Sequence, residues 1–164
     1  MTYLRFSLAV QLLLAVYFQT INWLHLGAWN NQPGFVPLIT SVLAGPVDWE
    51  SIGVSAFFVL PALLYVLAFR NRWRWLMWAG TLGYACWLYF QLQTWWVPYL
   101  FGASEHWQEV YHRVFAHTTQ ILPSSGNHPA PDAMHLVIQI LLVCIVVTSF
   151  TGLAQTRHKK PSGT

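Results

Sequence analysis

Residues 133–153 read AMHLVIQILLVCIVVTSFTGL, an apolar run without a single Asp, Glu, Lys or Arg. At about 1.5 Å of rise per residue, roughly 20 such residues reach across a hydrocarbon layer about 30 Å thick. Inside that layer the backbone has no water to bond, so it must satisfy its own N–H and C=O groups, and a helix does so within one segment. This stretch therefore sets the class of the protein: a helix built for lipid.

Three further segments carry the same signature. They are residues 4–24 (LRFSLAVQLLLAVYFQTINWL), 51–69 (SIGVSAFFVLPALLYVLAF) and 75–97 (WLMWAGTLGYACWLYFQLQTWWV). The first, with Arg5 ahead of its apolar run, has the outline of a signal peptide. No small-x-small cleavage pattern follows it, so it reads as a retained span. The whole chain agrees: of 164 residues, 55% are hydrophobic and 8% charged, with ten Trp, ten Phe and seven Tyr. Soluble domains carry roughly 25% charged residues. The expectation is one all-α domain, an integral membrane four-helix bundle with an amphipathic cap helix on the extracytoplasmic side and a tail over 154–164.

Charge supplies the orientation. Of the eight Lys and Arg, all but Arg113 fall at one end of this arrangement: Arg5, then Arg70, Arg72 and Arg74 in the turn between the second and third segments, then Arg157, Lys159 and Lys160. The positive-inside rule makes that end cytoplasmic, with both termini inside a plasma or inner membrane. The acids, Asp48, Glu50, Glu105, Glu109 and Asp132, gather at the opposite end, with His25, His106, His112, His117, His128 and His135. The basic residues form no patch on a soluble surface, so nucleic acid is not an expected partner. Cys86 and Cys144 make no CxxC and no zinc spacing. Both read as buried small apolar residues, and a membrane thiol–disulfide oxidoreductase is set aside.

The outer connections are where chemistry could sit. Residues 25–50 hold turn-rich NNQPG and AGP around an apolar FVPLITSVLAG, with Asp48 placed to cap the second helix and Glu50 in its first turn. From Ser104, a suitable N-cap, residues 104–122 follow a helical period: Trp107, Val110, Tyr111, Val114, Phe115, Thr118, Ile121 and Leu122 share one face. Glu105, Glu109, His112, Arg113, His117 and Gln120 share the other. This is the expected cap helix, ending before Pro123 and lying on headgroups or on the bundle top. The cluster TWWVPY is expected to close the third span before Pro98, and Asp132 to cap the fourth, with His135 in its first turn.

Within the cap helix, Glu109 and His112 form an E-x-x-H pair on one face, a spacing that can put a carboxylate and an imidazole on one metal ion. No second copy exists, and the H-E-x-x-H zinc signature is absent. Glu109, His112 and His135 are the candidate metal ligands and catalytic groups, a divalent metal being the one candidate cofactor. The plain alternative is a solvated polar face. His135, one turn into its span with Gln139 a turn further, is costly to place in lipid and so points toward a bundle interior or a wet cavity. His25, Glu50, Gln91, Trp95, Asp132 and Gln139 are the further candidate ligand contacts.

Two polar stripes admit either packing or a cavity: Ser7, Gln11, Ala15, Asn22 and His25 on the first span, and Gly80, Tyr84, Trp87, Gln91 and Thr94 on the third. No phosphate loop, nucleophile elbow or kinase signature is present. The expected function is a membrane binding or accessory protein. It would hold a metal ion, a small apolar ligand of lipid or quinone type, or a partner subunit at its outer face. The alternative is a membrane enzyme acting on a lipid-like substrate through a His/carboxylate centre.

Overall fold

The computed structural model describes residues 2–24, 26–30 and 49–158. Among these the chain is helical throughout. Helix α1 spans Thr2–Trp23, a short 3-10 turn covers Gly27–Trp29, and α2 spans Trp49–Arg70. Then come α3 over Arg74–Phe101, α4 over Glu105–Val114 and α5 over Ala133–His158. No strand forms among the described residues; the loop into α5 has only isolated bridges, Gln120 to Asp132 and Ser125 to His128. The expected loop positions 31–48, with Asp48, lie outside the described residues, as do His25 and residues 159–164.

Two helical stretches, Thr2–Asn22 and Ala133–Gln155, are long and apolar enough to cross a membrane, and Val59–Arg70 is a shorter apolar one. The long helices pack in a closed circuit: α1 touches α5 and α2, and α3 touches α5 and α2. Leu14, Ile21, Tyr84, Met134, Ile138 and Leu142 build a core toward the Asp132 end. Leu4, Tyr65, Ala68, Met77 and Leu153 build a second one at the opposite end. Between α1 and α5 the approach is close: a Cβ on Gly152 would stand 2.7 Å from Leu4 Cγ and 3.2 Å from the Leu4 backbone nitrogen.

Polar side chains sit inside and apolar ones outside. Ser7, Gln11 and Ser149 are fully buried. Ser7 and Ser149 share a hydrogen bond, Gln11 Nε2 donates to Ser7 Oγ at 3.2 Å, and the Tyr65 hydroxyl donates to Ser149 Oγ at 3.2 Å. Three helices are thereby tied by hydroxyls, the kind of glue that helices use where no hydrophobic force drives them together. Meanwhile Leu13, Val16, Leu60, Leu64, Leu82, Phe90, Val143 and Phe150 are exposed along the four long helices.

Several boundaries differ from expectation. Helix α3 does not stop before Pro98 but runs through it to Phe101, where the Gly102 N–H bonds the Pro98 carbonyl at 3.0 Å. A proline gives up one helical bond and crowds the carbonyl four residues back, a disturbance that lies close to the helix end here. Gly102 then leaves the helix at φ +92, a conformation open to glycine. Helix α5 continues past Leu153 to His158, taking in the first part of the expected tail.

The cap helix is shorter than 104–122. Ser104 does cap it, accepting the Trp107 N–H at 3.3 Å, but it ends at Val114. Beyond it Thr118 turns its hydroxyl to the Phe115 carbonyl, and the Thr119 N–H donates to the Ala28 carbonyl at 2.7 Å. Threonines offer the backbone such local and long-range substitutes for helical bonds. Cys86 is exposed and Cys144 half-buried, so Cys86 is not the buried residue expected.

Candidate functional site

The chain between α4 and α5 folds back over the ends of α1 and α3, and this return positions the site. Asp132, at the start of α5, is fully buried. Its Oδ1 accepts the His135 backbone N–H at 2.7 Å and lies 2.8 Å from His135 Nδ1. The bond from the His135 N–H is the first half of a capping box; the reciprocal arm differs, since the ring meets the cap's side chain and not its backbone N–H. The backbone N–H is an obligate donor, so Oδ1 is an acceptor, and the ring nitrogen beside it donates too. In the neutral ring the remaining nitrogen, Nε2, then carries the lone pair. The second carboxylate oxygen meets the Thr118 hydroxyl at 3.3 Å, while that hydroxyl lies closer, at 2.7 Å, to the Phe115 carbonyl.

The imidazole is held on its flanks by aromatic rings. Trp95 lies 4.2 Å away, centroid to centroid, and Phe115 5.4 Å away nearly edge-on. Trp95 in turn meets Phe115 at 5.0 Å and Trp107 at 5.9 Å. The apolar face of α4 thus meets the end of α3 through Trp107, with Tyr111 buried. Below and beside His135 opens a cavity of about 200 Å³, walled by Phe18, Ile21, Asn22, Asn30, Phe115, Met134, His135 and Ile138.

Asn30 shapes that cavity from the α1 side. Its Nδ2 donates to the carbonyls of Ile21 and Leu24 at 2.7 and 2.6 Å, and its Oδ1 accepts the Leu26 N–H at 2.7 Å. One side chain thereby satisfies backbone groups left open where α1 ends. No protein-family model, curated protein or solved structure matches this chain.

The structure brings together Trp95, Asp132 and His135 from the expected set. Gln139 lies one turn deeper than His135 and accepts the Trp96 indole N–H at 2.8 Å through Oε1. An indole N–H can only donate, so the amide orientation is fixed and Nε2 faces away from Trp96. That Nε2, and Oε1 of Gln91 on α3, are buried without a hydrogen-bond partner among the described residues. Gln91 lies one turn below Trp95, so both amides sit at the same depth.

Glu109 and His112 are exposed on α4, as is His106, and His117 is exposed beyond its end. His128 Nδ1 is taken by the Tyr99 carbonyl at 2.8 Å. No group of three His, Cys, Asp or Glu side chains able to hold a metal ion forms among the described residues. The side chain of Glu50 lies outside the described residues, as His25 does. Sequence reasoning passed over three residues that shape the site: Phe115, counted only as part of an apolar face, and Asn30 and Thr118, whose partners come from distant chain. For Asn30 a signal existed, an Asn just past a helix end.

Proposed function

We propose that this is a four-span membrane protein with both termini cytoplasmic, binding a small, largely apolar molecule in the cavity beside His135 at its outer end. The observation that carries this is the Asp132–His135 pair, a buried carboxylate holding an imidazole at the edge of an otherwise mostly apolar cavity. Ionisable groups at such depth are costly and mark function in membrane helices. The four-span reading draws support from the apolar residues exposed along all four long helices, since soluble monomers rarely show apolar patches of that extent. The orientation draws support from the ends themselves: exposed Arg5, Arg70 and Arg72 lie with Arg74, which donates to the Leu153 carbonyl at 3.0 Å, opposite Glu105 and Glu109. A divalent metal is a weaker reading, because among the described residues no further acidic or histidine side chain joins Asp132 and His135.

Placement is tested by impermeant maleimide labelling of intact cells. A cysteine at exposed Ser125 is expected to be labelled directly, and one at exposed Asn71 only after lysis; the reverse pattern, or labelling of both, overturns the orientation. Binding is tested by native mass spectrometry of protein taken from its membranes, beside Ile138→Trp, which fills the cavity. A small molecule held by the parent and lost in the variant is expected. A bare parent protein sinks the binding reading. The Asp132–His135 pair also favours a second reading, an enzyme in which His135 acts as a general base and Asp132 orients it. A product that forms from the bound molecule, and fails to form in His135→Gln, would replace binding by catalysis.

A further inference from the structure

We infer that the cavity takes a single-ring molecule bearing a neutral hydroxyl, the phenol or quinol type of head, with that hydroxyl donated to His135 Nε2. The inference rests on the binding reading above and names the ligand's chemistry. Size comes first. An apolar cavity of about 150 Å³ accommodates benzene, so one of about 200 Å³ takes one ring and a substituent, not a larger ligand in full. A longer molecule must leave its remainder outside.

Charge comes next. Among the described residues the buried Asp132 carboxylate stands beside the cavity through His135, and no Lys or Arg lines the walls. A phosphate or carboxylate head would face that carboxylate without a counter-charge, at a large desolvation penalty. Hydrogen bonding completes the selection. Asn30 spends both its carboxamide atoms on the backbone, and Asn22 already has a partner. His135 gives Nδ1 to Asp132, while Nε2 has no hydrogen-bond partner among the described residues. With Nδ1–H turned to Asp132, the neutral ring presents Nε2 as an acceptor, and a ligand hydroxyl is the matching donor. Phe18 and Phe115 line the walls and suit an aromatic body.

The test uses two probes that differ by one methyl group: 4-ethylphenol and 4-ethylanisole, titrated into the full protein in lipid nanodiscs. Resonances of nitrogen-15-labelled histidine serve as the second readout. The phenol is expected to bind about tenfold more tightly than its methyl ether, the effect of one hydrogen bond of roughly 1.4 kcal/mol, and to move the His135 Nε2 resonance. Equal binding of both probes, abolished together by Ile138→Trp, would overturn the hydroxyl assignment and leave the cavity reading standing. Binding of neither, or binding indifferent to Ile138→Trp, would overturn the assignment and the cavity reading together. Tighter binding of 4-ethylbenzoate than of the phenol would overturn the charge argument.

Discussion

Trp95→Ala is expected to destabilise the protein by about 4 kcal/mol, the cost of emptying the space of a large buried aromatic side chain. Trp95 is 2% exposed and touches three rings from two other parts of the chain: Trp107 and Phe115 from the α4 region and His135 from α5. Its removal takes away the surface on which α4 and the loop after it rest. The loss falls outside the apolar cores of the long helices, so the cap should detach before the helices separate. Unfolding in detergent, followed by near-ultraviolet circular dichroism for the cap and far-ultraviolet for the helices, checks this. Trp95→Phe keeps one ring and should cost less than half as much. Coincident transitions at the parent's midpoint for Trp95→Ala would mean that α4 is held by something else.

What the sequence yields depends on the range of the interaction. The four long helices were legible because each is a run of apolar residues, and Ser104 was legible as a cap because capping is local. Asp132 as a cap was legible for the same reason, and its D-x-x-H spacing contained the bond to His135. The end of α4 was not. The apolar period continues to Leu122, but the chain leaves the helix after Val114 because Thr118 and Thr119 find partners at Asp132 and Ala28 that no local pattern announces. Glu109 and His112 made an attractive pair on one face, yet a helical face says nothing of what stands opposite it, and theirs is exposed. Helix α3 crossing Pro98 is a related case: a proline close to a helix end costs one bond and does not set where the helix stops.

The polar stripes divided by depth. Ser7 and Gln11 serve packing, bonded to Ser149 and to each other, whereas Asn22 ends at the cavity wall. One stripe was therefore both things that its composition allowed. Periodicity fixed a common face, and the circuit of neighbouring helices decided what each level of that face meets.

Asp132→Ala should cost about 3 kcal/mol, more than the roughly 1 kcal/mol that a helix cap is worth by itself. The excess comes from the second task of the same oxygen. Oδ1 accepts both the His135 backbone N–H and His135 Nδ1, and a hydrogen bond to a charged group contributes about 1.5–3 kcal/mol. Asp132→Asn separates the two contributions, since a carboxamide oxygen can still accept both bonds but carries no charge. It should lose about 1 kcal/mol and keep the ring in place. Thr118→Val, which touches only the longer contact at 3.3 Å, should lose less than Asp132→Ala. A double-mutant cycle between Asp132→Ala and His135→Ala, measured by denaturant unfolding, reads the coupling directly. Coupling of about 1 kcal/mol or more would show that the carboxylate holds the imidazole in place. If the cycle closes to zero and Asp132→Ala costs no more than an ordinary cap, then the carboxylate serves the helix alone. His135 would then be free to turn, Nε2 would lose its fixed role as acceptor, and the case for a hydroxyl-bearing ligand would lose its foundation.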